Sequence, residues 1–152
     1  MNLYSISWRC KSTWKKSSIN TLWCLIGCSI GDFGTILFFQ YSSYNLATEY
    51  IMLLAIVNGI LTSIALETFI LSLSQPLKSA FKTAVGMSMI SMISMEMAMN
   101  SVDLIITGGA VINIYVIFPM LLAGYITPLP YNYYRLKKYN QSCHLLYVIF
   151  FS

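Results

Sequence analysis

Four long apolar runs follow one another along the chain, and short polar segments divide them. The runs cover about residues 19–39, 50–73, 84–106 and 110–127. A helix rises about 1.5 Å per residue, so runs of this length match the roughly 30 Å hydrocarbon core of a bilayer. The predicted fold is all-α, a four-helix transmembrane bundle forming a single membrane domain over residues 1–152. The dividers are punctuated as turns. QYSSYNLATE fills 40–49, SQPLKSAFK fills 74–82 with Pro76 as the breaker, and Gly108–Gly109 reverses the chain before the fourth run. Pro119 is expected to kink that run, and Pro128 and Pro130 to end it. The tail, 128–152, is basic and aromatic. Its last apolar stretch, LLYVIFFS at 145–152, is too short to span and is expected to lie in the interface or on the bundle.

Composition sharpens this picture. Apolar residues make up 57% of the chain and charged residues 9%. Water-soluble domains carry about 25% charged residues, so this surface is built for lipid. The basic start followed by an apolar run resembles a signal peptide. The run is too long, and no A-x-A-like cleavage site follows it, so a retained helix is expected.

Charge then sets the orientation. All nine Lys and Arg residues fall in 1–18, 74–82 and 128–152, which four spans place on one side. The positive-inside rule puts that side, and both termini, in the cytoplasm. The expected setting is a bacterial inner membrane or an organelle membrane derived from one. The basic segments suit anionic headgroups, and nothing points to nucleic acid. Cys10, Cys24, Cys28 and Cys143 are scattered, unlike a disulfide framework or a CxxC zinc pattern.

The acids do the opposite of the bases. Asp32, Glu67, Glu96 and Asp103 lie within spans and Glu49 at a span edge. A carboxylate at the bilayer centre costs on the order of 3 kcal/mol, so such groups turn to a bundle interior and mark function by default. Glu96, Asn100 and Asp103 stand at i, i+4 and i+7, on one face of the third run with Met92 and Met99. On the first run, Cys24, Gly27, Cys28, Gly31 and Asp32 share an arc. Gly27-x-x-x-Gly31 is a small-xxx-small pattern that lets two helices approach closely. Cys24 and Cys28 stand one turn apart, about 6 Å in rise, a spacing for two thiolates on one soft metal ion.

The candidate ion ligands are therefore Cys24, Cys28, Glu96, Asn100 and Asp103, with Gly27 and Gly31 as packing positions. Sulfur favours a soft ion such as monovalent copper; carboxylates favour protons or harder cations. The other reading is that the acids are protonated and bonded between helices, and the thiols are small packing residues. Met87, Met89, Met92, Met95, Met97 and Met99 point around much of the helix, as packing and lipid-facing residues would. No phosphate-binding glycine loop, HExxH or GxSxG is present, no nucleophile–base pair is visible, and the lone histidine, His144, is on the tail. No catalytic residue is assigned.

Cys24-Leu-Ile-Gly27-Cys28-Ser-Ile-Gly31-Asp32 resembles the first-helix signature of an uncharacterised bacterial membrane family, domain of unknown function 4396. There the pattern runs His-Cys-x-x-Gly-Cys-x-x-Gly-Glu. Met95-Glu96-x-x-x-Asn100 is similar to its Met-Glu-x-x-Asp-Asn segment, and Pro130-x-Asn132 to its Pro-x-Asn-x-aromatic exit. His144 resembles its C-terminal histidine. Trp23 replaces the family's histidine, and Met99 its aspartate. The resemblance implies the membrane fold more than an activity. Two functions are expected: handling of a soft metal ion or protons, or a non-catalytic subunit or assembly role in a larger membrane complex, with protein partners or a second copy.

Overall fold

The structure is a computed structural model, and it describes residues 11–139. Cys10, Cys143, His144 and the LLYVIFFS stretch lie outside the described residues, as does the Met87 side chain. Five helices make up the described chain: α1 (Lys11–Tyr41), α2 (Thr48–Ser72), α3 (Leu77–Thr107), α4 (Ile114–Ile126) and α5 (Leu129–Tyr139). Among the described residues there is no strand. Among the described residues, four segments are long and apolar enough to cross a membrane: Lys11–Tyr41, Thr48–Ser72, Ser88–Thr107 and Ile114–Lys138.

The helices outrun the apolar runs at their ends. α1 starts at Lys11, and α3 starts at Leu77, directly after Pro76. Proline at a helix start sacrifices no hydrogen bond, because the first N–H groups have no intrahelical partner. Lys78 and Lys82 thus stand on the first turns of α3, where a turn was expected. The same reasoning explains the end of α4. Pro128 interrupts the helix, but Pro130 is the second residue of α5, so the chain resumes helical form. At the other end of α3, Gly108 takes the left-handed conformation (φ 86°) and its N–H caps Leu104, as expected for a glycine past a helix end.

Helices α1 to α4 run alternately up and down, and α5 carries on the crossing that α4 begins. The α1–α2 contacts pair Gly27 with Ser63, Gly31 with Asn58 and Thr62, and Thr35 with Asn58. At one end Ser17 donates to the Leu129 carbonyl (3.2 Å), and Asn132 to Thr21 (2.8 Å). Trp14 packs on Tyr133 there, with ring centroids 4.4 Å apart. At the other end Gln40 donates to the Ile112 carbonyl and accepts from its N–H. Every described Lys and Arg lies toward the first end.

The partition of side chains is inside-out relative to a protein in water. Ser63, Ser88, Ser91, Asp32, Glu96, Asn100 and Asp103 are buried, while Ile30, Phe38, Leu61, Phe69, Ile90, Ile105 and Phe118 are exposed. Lipid solvates the second set as well as a protein core would. Association in a bilayer therefore draws on close packing and interhelical hydrogen bonds, worth about 0.6–2 kcal/mol each. α1 and α2 show both. A Cβ on Gly27 would lie 2.7 Å from Ser63 Cα. Thr62 Oγ1 donates to the Gly27 carbonyl (2.7 Å), and Ser63 Oγ to that of Cys24 (3.2 Å).

Candidate functional site

Three helices converge where α3 carries Glu96. The side chain is fully buried and reaches across to α2. A Cβ on Gly59 would collide with Glu96 Oε1, and its nearest α1 neighbour would be the Cys28 carbonyl at 3.1 Å. Gly59 is thus the seat of the Glu96 carboxyl: any larger residue fills the space the acid occupies. Cys28, fully buried on α1, faces the same carboxyl.

One turn further along α3, Asn100 links the helices. Its amide nitrogen lies 3.2 Å from Asp32 Oδ1 on α1, 3.1 Å from the Glu96 carbonyl and 3.5 Å from Glu96 Oε2. Two carboxyl groups on different helices are therefore bridged by a single amide. The remaining atoms are all acceptors. Asp32 Oδ2, Glu96 Oε1 and Asn100 Oδ1 are buried with no hydrogen-bond partner. An acceptor buried without a donor costs about 1–3 kcal/mol, and more if charged. Three such oxygens in one place call for hydrogens or for positive charge.

Below this centre, toward the basic end, sulfur and hydroxyl groups take over. Cys24 Sγ stands 3.5 Å from Ser63 Oγ, and both cysteines are free thiols. Met92, Met95 and Met99 are fully buried in the same core with Met120, while Met97 is exposed. Among the described residues, no group of three or more His, Cys, Asp or Glu side chains stands so that it could hold a metal ion.

Asp103 does a different job from its neighbours on the face. Its Oδ1 accepts from the Thr107 hydroxyl (2.7 Å) and its Oδ2 from the Ala110 N–H (2.7 Å). Thr107 Oγ1 in turn accepts from Gly109 N–H (3.0 Å). The acid thus closes the α3–α4 turn, with both oxygens occupied.

The structure brings Cys24, Cys28, Glu96 and Asn100 into one interior and holds Asp103 at its far edge. Gly27 and Gly31 face α2, against Ser63, Asn58 and Thr62. Sequence reasoning missed Gly59 and Ser63. The signal was there: Ala55, Gly59 and Ser63 are small residues four apart, and all three are buried.

The family model described as Domain of unknown function (DUF4396) matches residues 13–141. No curated protein and no solved structure matches the chain.

Proposed function

The chain belongs to this family of unknown function, and from that premise we propose that it is a membrane-embedded proton-handling module. Asp32 and Glu96 hold exchangeable protons, and Asn100 positions the two acids. The observation that carries the reading is the surplus of acceptors at the centre: three orphan oxygens around one amide donor. Protons on the two acids convert orphan acceptors into donors, with no buried cationic side chain required. Intramembrane acids in this situation mark proton relays and ion paths.

The soft-metal reading has less beneath it. Cys24 and Cys28 supply two thiols, but Asp103 uses its oxygens on the turn. The placement of Lys and Arg supports an orientation with the basic end in the cytoplasm, against anionic headgroups, in a bacterial inner membrane or one derived from it.

Reconstitution tests the proton reading. Vesicles enclosing a pH-sensitive dye should acidify after an external acid pulse when they carry the wild-type chain. Glu96→Gln and Asp32→Asn should return them to the rate of protein-free vesicles. A wild type no faster than empty vesicles overturns the proposal.

One observation favours a second reading, as a subunit of a larger membrane complex. A groove of about 450 Å³ opens between α1 and α2, lined by Gly31, Gly34, Asn58 and Thr62 among others. Asn58 is exposed, and a Cβ on Gly34 would meet nothing within 4 Å. A helix from another chain would fit there. Cross-linking from Gly34→Cys in native membranes tests it: a protein adduct is expected, and a product confined to lipid rules it out.

A further inference from the structure

A further, half-buried acid lies nearer the basic end, outside the centre just described. Glu67 on α2 accepts from Ser88 of α3 through Oε1 (2.7 Å), while its Oε2 is enclosed without a partner. Beside it is a cavity of about 10 Å³, lined by Asn20, Trp23, Cys24, Leu66, Glu67 and Ile70. That is the room one water molecule needs, and Asn20 and Glu67 supply polar partners for it. From α5, Arg135 is near enough to act on Glu67 electrostatically.

The spacing along α2 joins this place to the centre. Gly59, the seat of Glu96, Ser63 and Glu67 are successive fourth residues on one helix face. Each step is about 6 Å. Ser63 is in contact with Cys24, which also lines the cavity. Ser63 and the Glu96 carboxyl both lie against the Cys28 thiol on α1. Polar groups on three helices thus form a column from Glu67 to Glu96.

We propose that Glu67 is the proton-entry group of the basic end, and that the cavity beside it holds one water on the route to Glu96. The inference rests on the proton reading of the Asp32–Asn100–Glu96 centre. A proton arriving at Glu67 Oε2 passes to the water, which releases one of its own toward the Ser63 hydroxyl and then to Glu96, once Glu96 has given up the proton it held. Each hop breaks one O–H bond and forms the next. One positive charge moves, and nothing is oxidised or reduced.

The test uses the full chain in vesicles of phosphatidylcholine and phosphatidylglycerol that enclose a pH-sensitive dye. Glu67→Gln should slow acidification about tenfold or more, in keeping with the contribution of a positioned proton carrier. Glu67→Asp should restore most of the rate, which a merely structural role of the side chain would not require. Asn20→Leu, which removes a polar wall of the cavity and leaves Glu67 in place, should slow the flux as well. Wild-type flux through Glu67→Gln overturns the entry role. Should that variant fail to fold, wild-type flux through Asn20→Leu overturns it instead. A wild type with no flux at all removes the central reading and this entry with it, whereas a loss confined to Glu96→Gln and Asp32→Asn leaves the centre standing and rejects Glu67.

Discussion

Glu96 and Asp103 stand two turns apart on the same face of α3, and both are fully buried. Asp103 has a donor for each oxygen, from Thr107 and from the backbone of Ala110. Glu96 has a long contact to Asn100 on one oxygen and no hydrogen bond on the other, with the Cys28 thiol beside the carboxyl. The difference lies in what surrounds them. Asp103 sits beside a turn whose freed backbone N–H groups need an acceptor, so a fixed structural role uses up its valence. Glu96 sits among three helices whose backbone groups are already paired, so the fold offers its carboxyl only the Asn100 amide and the weak S–H donor of Cys28. An acid of the first kind holds a structure together. An acid of the second kind must obtain a proton or a counter-charge from elsewhere, and this makes it available for chemistry.

Substitutions can break or sharpen this contrast. The largest loss of stability is expected at the turn. Asp103→Ala leaves the Ala110 N–H without its acceptor and the Thr107 hydroxyl with only the carbonyl of residue 103, at about 2–3 kcal/mol, read as unfolding in detergent followed by circular dichroism. Asp103→Asn sets an amide N–H against a donor and should cost about 1–2 kcal/mol. Gly59→Ala comes next. The added methyl takes the place of the Glu96 carboxyl, and about 2 kcal/mol of overpacking should accompany the loss of proton flux. If Gly59→Ala is as stable and active as wild type, the three-helix seat is misplaced. Gln40→Ala removes two bonds to Ile112 at the far end and should cost about 1 kcal/mol with flux retained. The smallest change in stability is expected from Glu96→Gln, whose amide gives the orphan acceptors a donor. It should unfold at or above the wild-type temperature while losing flux. Equal destabilisation by Asp103→Asn and Glu96→Gln would erase the distinction between the two acids.

Much of the architecture could be read from the chain because lipid imposes coarse rules. Run length counts the spans, and the confinement of Lys and Arg to alternate segments sets which ends lie together. The inward turn of Glu96, Asn100 and Asp103 followed from helical spacing and the cost of a carboxyl in lipid. Helix ends were less legible. Lys11 through Ser18 and Leu77 through Thr83 are polar enough to read as loop, yet they extend α1 and α3 beyond the apolar runs. Pro130 read as a terminator, but at a helix start its missing N–H is no loss.

The division of labour among the acids was not legible. That Asp103 caps a turn depends on the positive φ of Gly108, Gly109 and Ala110, which folds the Ala110 N–H back onto the end of α3. That Glu96 rests on Gly59 depends on the vertical register of α2 against α3. Periodicity gives the face of a helix; it does not give the level at which a neighbour presents its gap. The small-residue ladder Ala55, Gly59, Ser63 came closest to revealing it.

The acids around Asn100 carry exchangeable protons if the centre handles protons at all. Infrared spectroscopy of the membrane-embedded protein reads this directly, through the carbonyl stretch of protonated carboxyl groups and its shift in heavy water. Wild type should show such bands, they should shift on exchange, and Glu96→Gln and Asp32→Asn should each remove part of the signal. A spectrum without protonated carboxyl, or bands that ignore both heavy water and these substitutions, would contradict the proton-bearing centre.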